Sequence, residues 1–162
     1  MKIEISPIEN EYAEQVIDLI LSIQQKEFNV AITLADQPDL LEIKNFYYKD
    51  GGCFWGAFAD GELVGTIALI KFDAQAGAIR KMFVKKEFRG KEFGIAQLLL
   101  DTLIDSSREK GLNNLYLGTI TILAAALRFY EKNGFIRIAK ESLPETFPLM
   151  SADNVFCNLP LD

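Results

Sequence analysis

"VKKEFRGKEFGIAQLLLDTLIDSSREKG", residues 84 to 111, decides how the chain is read. An apolar strand end passes into a basic, glycine-bearing turn, and the turn becomes a long amphipathic segment. The periodicity predicts a helix from about Gly94 to Lys110, with Ile95, Leu98, Leu99, Thr102 and Leu103 on one face and Gly111 as its stop. A helix N-terminus carries unpaired N–H groups and a partial positive charge, and small residues there let a phosphate approach the backbone. Gly94 and Ala96 supply the small residues. Lys85, Lys86, Arg89 and Lys91 make a local basic reversal in a chain of net charge −6. The turn lacks the Gly-Lys-Ser/Thr ending of a Walker loop. Gly90 and Gly94 also miss the Gly-x-Gly-x-x-Gly spacing of a dinucleotide fold. Taken alone, the turn fits two readings equally: an anion site, or a glycine loop that merely precedes a surface helix.

Outward from this stretch, the pattern alternates strands and helices. Residues 2–6 alternate like a strand. Residues 11–28 carry Ala13, Val16, Ile17, Leu19, Ile20 and Ile23 at helical recurrence, and residues 37–52 read as a second short helix ended by Gly51-Gly52. The link between them, 29–36, is apolar for a loop. Residues 53–72 form the clearest hairpin, two strand-like runs about the tight-turn pair Asp60-Gly61. Residues 76–86 and 113–120 read as strands on either side of the central helix. Residues 123–133 form a short helix stopped by Gly134. Residues 135–141 and 154–159 are two final strands, joined by a proline-bearing loop over 142–153. Hairpins come first and strand-helix-strand crossovers follow, the mark of a mixed α/β domain. Neither a repeat nor an interdomain linker is visible, so one domain over 1–162 is expected.

Composition narrows the chemistry. The chain has 162 residues, 49% hydrophobic and 25% charged, which suits an ordinary globular core. A net charge of −6 argues against general nucleic-acid affinity. It contains no histidine and two cysteines, Cys53 and Cys157, each inside an apolar run. Two buried thiols in a reducing compartment are expected, and no metal site. Catalytic triads that use histidine are excluded, leaving Tyr, Lys, Asp, Glu, Cys or water for proton transfer. The opening "MKIEISPIENEY" lacks an apolar core and no run approaches membrane-spanning length, so a cytoplasmic protein with no membrane partner is expected.

Two segments together bear a resemblance. "IRKMFVKKEFRGKEFGIAQLLLDTLI" (79–104) and "AALRFYEKNGFIR" (125–137), in this order and at this separation, resemble the two main motifs of the GNAT superfamily of acyl-CoA-dependent N-acyltransferases. The order of elements resembles the family's over nearly the whole chain. The resemblance implies a central mixed, mostly antiparallel sheet of about seven strands flanked by about four helices. A splayed parallel strand pair would form the cofactor cleft. It also implies acetyl-CoA as acyl donor, CoA as product, and direct attack of an amine on the thioester.

Residue by residue, the resemblance places the CoA pyrophosphate on the backbone of Lys91, Glu92, Phe93, Gly94, Ile95 and Ala96. Lys91 stands where the family has Gln or Arg, and Arg89 is expected to share its work. Met82, Phe83 and Val84 match the strand segment that pairs with the pantetheine arm. Tyr130 matches the tyrosine beside the CoA sulfur, a candidate acid for the leaving thiolate. Its alternative role is packing beside Phe129. Leu123 stands where many members have Asn, and Ala78 where many carry a catalytic glutamate. Glu27, Asp36 and Glu141 are the substitute carboxylates considered. Arg80 is either a solvent-facing arginine or a holder of a substrate carboxylate, and Phe28 and Ile32 are candidate walls of the acceptor pocket. The leading expectation is acetyl transfer to a small-molecule primary amine. A non-catalytic acyl-CoA-binding module and a protein lysine or N-terminal acetyltransferase are the alternatives, and either a monomer or a homodimer is compatible with the sequence.

Overall fold

The computed structural model describes residues 1–121 and 123–162. Seven strands form one sheet: β1 (Ile3–Pro7), β2 (Cys53–Ala59), β3 (Glu62–Asp73), β4 (Ala76–Val84), β5 (Asn114–Thr119), β6 (Ile136–Ile138) and β7 (Val155–Pro160), in the order β1-β2-β3-β4-β5-β7-β6. All neighbours are antiparallel except β4 and β5. Three α-helices, α1 (Ala13–Leu21), α2 (Ile95–Glu109) and α3 (Ala124–Lys132), and several shorter helical turns flank it. This is the expected mixed α/β sheet.

Strand alternation explains why both sheet faces are covered. On β2, Phe54 packs with Val16, Ile20, Leu40 and Ile43 on the α1 side, whereas Trp55 and Ala57 pack with Leu99, Leu103 and Leu115 on the α2 side. The β2–β3 connection is the hairpin read from Asp60-Gly61. Both residues take positive φ, 48° and 87°, as a tight two-residue turn requires.

Three expectations need correction. The central helix buries Ile95, Leu99, Leu100, Leu103 and Ser107, while Leu98 is exposed and Thr102 is only half-buried, its hydroxyl donating to Leu98 O at 2.7 Å. Helical recurrence gave the right stripe, but its edge was set one position off by how the helix rolls on the sheet. The first helix does not run evenly to residue 28. It widens into a π-helical turn over Ser22–Glu27, where Phe28 N donates to Ile23 O at 3.0 Å. The second helix is two separate turns, Pro38–Leu41 and Lys44–Tyr48.

One irregularity positions everything that follows. β4 and β5 pair only over Ala76–Asn114, Gly77–Leu115 and Ala78–Tyr116. Beyond Ala78 they part. On its other side β4 keeps pairing with β3, but through a bulge: Ala68 faces Arg80 and Thr66 faces Phe83, with Lys81 at φ 56° in between. A bulge bends its strand and raises the local twist. The buried Thr66 hydroxyl donates to Lys81 O at 2.7 Å and satisfies the carbonyl that the bulge displaces. Thr66→Val keeps the shape and removes that donor. Its expected cost is about 1–2 kcal/mol in urea unfolding, from an unsatisfied buried carbonyl; a cost near zero would show that the bulge does not depend on this bond.

Candidate active site

Where β4 and β5 part, the gap becomes a cleft of about 530 Å³. Ile79 through Val84 form one wall. Leu117, Gly118 and Thr119 of β5, with Leu123 to Ala126 and Tyr130 leading into and along α3, form the other. Having lost its parallel partner, the β4 edge turns backbone donors and acceptors toward the opening. A peptide-like chain can pair there as an added strand. Met82, Phe83 and Val84 lie on this edge.

At one end stands the turn before α2. Gly90 and Gly94 take φ of 113° and 64°, and Phe93 N and Gly94 N both close onto Gly90 O at 3.2 Å. Gly94 is the left-handed residue that heads α2. The amides of Ile95, Ala96 and Gln97 have no backbone partner among the described residues, so they remain free donors at a helix N-terminus. Ala96 lines the cleft; the Ile95 side chain is buried in the core, so only its backbone is on offer. Lys91 and Glu92 are exposed, and Phe93 packs on Phe88 with ring centroids 5.8 Å apart.

Arg89 lines the cleft, but its guanidinium is already engaged. Nε donates to Val84 O at 2.8 Å, both terminal nitrogens meet the Glu27 carboxylate, one of them at 2.7 Å, and the group sits 5.7 Å above the Phe28 ring. Arg89 thus straps the turn after α1 to the end of β4. The same pairing takes Glu27 away from any role as a base. Asp36 is exposed and held by Thr33 in a capping box, and Glu141 is exposed in the turn after β6. None of these three carboxylates faces the cleft. Phe28 and Ile32 do line it, beside Ile23 and Val30.

Tyr130 packs on its neighbours and also reaches the cleft. Its ring packs edge-on against Phe129 and Phe135, at 5.7 and 5.3 Å, while the residue also lines the cleft. Its hydroxyl makes no side-chain hydrogen bond among the described residues and opens to the cleft. Burial, with Cys157 adding to it, pushes the phenol well above its usual range, so it stays protonated at neutral pH.

Sequence reasoning missed most of the other end. Lys81, at the bulge, is buried and turns its ammonium to Gln37 Oε1 and, at 3.6 Å, to Asp39, which also accepts from the Tyr47 hydroxyl. Burial pulls the Lys81 ammonium below its usual range, and Asp39 opposes the fall. Arg80 lines the cleft and donates to Pro148 O rather than standing free in solvent. Asp153, in the loop before β7, faces the same space. The available signal was Gly118: an isolated glycine inside a strand marks a close approach, and a Cβ there would lie 2.4 Å from Asp153 Oδ2.

The chain belongs to the Acetyltransferase (GNAT) family, whose model matches residues 17–135. It is 41% identical to an acetyltransferase of this family from Staphylococcus aureus Mu50, whose crystal structure superposes with a TM-score of 0.95 over 99% of this chain and 100% of that one. It is 35% identical to N-acetylaspartate synthetase of Danio rerio over 70% of this chain and 40% of that protein. The chain spans half or less of the length of the first curated relatives it matches, 50% and 40%. It shares its fold with the PaiA N-acetyltransferase of Thermoplasma acidophilum in complex with coenzyme A, at 20% identity and a TM-score of 0.73 over 99% and 100% of the two chains.

The Lys81–Asp39 contact sets a measurable cost. Asp39→Ala strands a buried ammonium, and the expected loss is about 3 kcal/mol or more in urea unfolding. A loss below about 1 kcal/mol would show that Lys81 relies on Gln37 alone.

Proposed function

We propose that this chain moves an acetyl group from acetyl-CoA to the primary amine of a small molecule, by direct attack of the amine on the thioester. The carrying observation is the cleft itself: an unpaired strand edge that ends, on one side, at free helix-terminal amides and, on the other, at the tyrosine of α3 that lines the cleft. The amides of Ile95, Ala96 and Gln97 would take the pyrophosphate, with Gly94 and Ala96 allowing close approach. Met82, Phe83 and Val84 would pair with the pantetheine arm, and Leu123 would add apolar contact where α3 begins. The acetyl group then lies between the β4 bulge and Tyr130. Backbone donors at the bulge would polarise the thioester oxygen as negative charge develops on it. The Tyr130 phenol would donate its proton to the departing thiolate and recover one from the new amide nitrogen through solvent.

The acceptor enters from the end walled by Phe28, Ile32, Arg80 and Lys81. The strap from Arg89 to Glu27 holds that wall across the opening, which favours a compact acceptor over a folded polypeptide. Two cationic side chains at this end favour an amine that also bears a carboxylate. The zebrafish relative, by its name, makes an N-acetylated amino acid, which points the same way.

Free thiol released from acetyl-CoA, followed across a panel of amino acids, diamines and short peptides, tests the proposal. Turnover on a small amine is expected. CoA binding without turnover on any amine would instead indicate an acyl-CoA-binding module, and turnover on peptides alone a protein acetyltransferase. Tyr130→Phe is expected to lower kcat by roughly 10²-fold or more, with CoA affinity little changed. Unchanged kcat would remove Tyr130 from the acid role.

A further inference from the structure

An amine that arrives as ammonium must lose a proton before it can attack, and no base has been assigned. Ala78, within the paired section of β4 and β5, is fully buried and has no ionisable group. Glu27 is tied to Arg89, and Asp36 and Glu141 lie elsewhere. Asp39 lies behind Lys81 and is engaged by Tyr47. Among the described residues, one carboxylate on the cleft is left, that of Asp153.

Asp153 is held at the mouth of the parted strands. Its own amide closes a turn onto Met150 O at 3.2 Å. The next residue, Asn154, pairs with Thr119 O at 2.9 Å, and its side chain accepts from Thr121 N at 3.1 Å. The loop is therefore pinned to the end of β5. The carboxylate lies against Gly118, where any side chain would collide with it: Oδ2 is 2.4 Å and Cγ 3.0 Å from a Cβ built there. Gly118 takes no positive φ, so the turn geometry does not demand glycine; the close approach does. Among the described residues the Asp153 carboxylate accepts no hydrogen bond and joins no ion pair within 4.0 Å, although it is partly buried. A partly buried carboxylate with no protein partner on the cleft wall is open to water and to a bound acceptor.

We propose that Asp153 is the group that takes the proton from the acceptor's ammonium. The proposal rests on the acetyltransferase reading above. The step balances simply. The ammonium gives one proton to the Asp153 carboxylate, directly or through one water, and its nitrogen lone pair then forms the bond to the thioester carbon. The carbon–sulfur bond breaks, and the thiolate takes the Tyr130 proton. The second proton on nitrogen replaces the one Tyr130 gave, and Asp153 returns its proton to solvent. Burial raises the Asp153 carboxyl above its usual range, while Arg80 and Lys81, which face it from β4 with Asp39 and Tyr47 behind them, hold the rise in check. That direction suits a base, because an ordinary aspartate is too weak to compete for an ammonium proton.

The same shift fixes the effect on stability. A carboxyl raised in the folded state contributes most below the ordinary carboxylate range, and that contribution is lost as pH rises through the folded value. At pH 7 Asp153 is thus a stability cost, and Asp153→Asn is expected to leave Tm unchanged or higher.

The test compares wild type with Asp153→Asn, using CoA as the binding probe and, for turnover, L-amino acids and linear diamines. The variant is expected to bind CoA within about twofold of wild type. Its kcat/KM at pH 7 should fall roughly 10²-fold, with the deficit closing as pH approaches the amine's own pKa and free amine becomes abundant. Gly118→Ala, which pushes the carboxylate aside, should reproduce part of this profile. Full activity of Asp153→Asn at pH 7 overturns the assignment. So does a deficit that persists at every pH, or a clear fall in Tm, since either marks a structural carboxylate. A carbon-13 titration of the Asp153 carboxyl, identified by its absence in the variant, decides the point without any acceptor: a value at or below that of ordinary aspartate, about 3.9, overturns it. Failure of wild type to bind CoA would overturn the acetyltransferase reading itself, a different result from any of these.

Discussion

The cleft exists because β4 cannot satisfy two neighbours along its whole length. It holds β5 over three residue pairs and then gives it up. On its other edge the bulge at Lys81 is the point where β4 changes course, and the Thr66 hydroxyl makes that change affordable by satisfying the displaced carbonyl. Parallel strands are normally buried and continuous, so a parting in mid-sheet leaves hydrogen-bonding groups open. Those open groups are the site. The adjoining elements then have defined tasks: α2 brings its N-terminus to one end of the gap, α3 brings Tyr130 to its wall, and the loop before β7 brings Asp153 to its mouth.

The two ends of the cleft differ in electrostatics. The end at α2 offers partial positive charge from helix-terminal amides with lysines exposed nearby, an arrangement that would tolerate a flexible, well-solvated polyanion. The opposite end is drier. Lys81 is buried against Asp39 and Gln37, Arg80 is bonded to Pro148 O, and Asp153 has no partner among the described residues. Fixed charges in a partly desolvated space act more strongly than on a surface. This is where specificity for an acceptor would reside, and the local charge balance of two cations and two carboxylates suits a zwitterion better than a polycation.

Much of the fold was legible because local chemistry and global architecture agree. Asp60-Gly61 could be little other than a tight hairpin, and the glycine-bearing turn before a long amphipathic run could be little other than a helix start. The breaks in α1 and in residues 37–52 were not legible, because π-helical and 3₁₀ turns this short end before their different residues per turn can show in the apolar pattern. Among the residues that line the cleft, Met82 to Val84, Ala96 and Tyr130 stand in contiguous motifs that the sequence displays. Arg89 was read as a phosphate ligand from its charge, whereas its guanidinium is taken up by Glu27, distant in sequence and adjacent in space. Asp153 and Gln37 reach the cleft from loops whose path no periodicity encodes. Gly118 held the only local hint of Asp153.

The central claim is that the parted strands receive an acyl-CoA in one orientation. A crystal structure with CoA bound tests it most directly. The account predicts the pyrophosphate on the amides of Ile95 to Gln97, the pantetheine arm along Met82 to Val84, and the sulfur within hydrogen-bonding reach of the Tyr130 hydroxyl. A pyrophosphate bound elsewhere, or a thiol directed away from Tyr130, would contradict it.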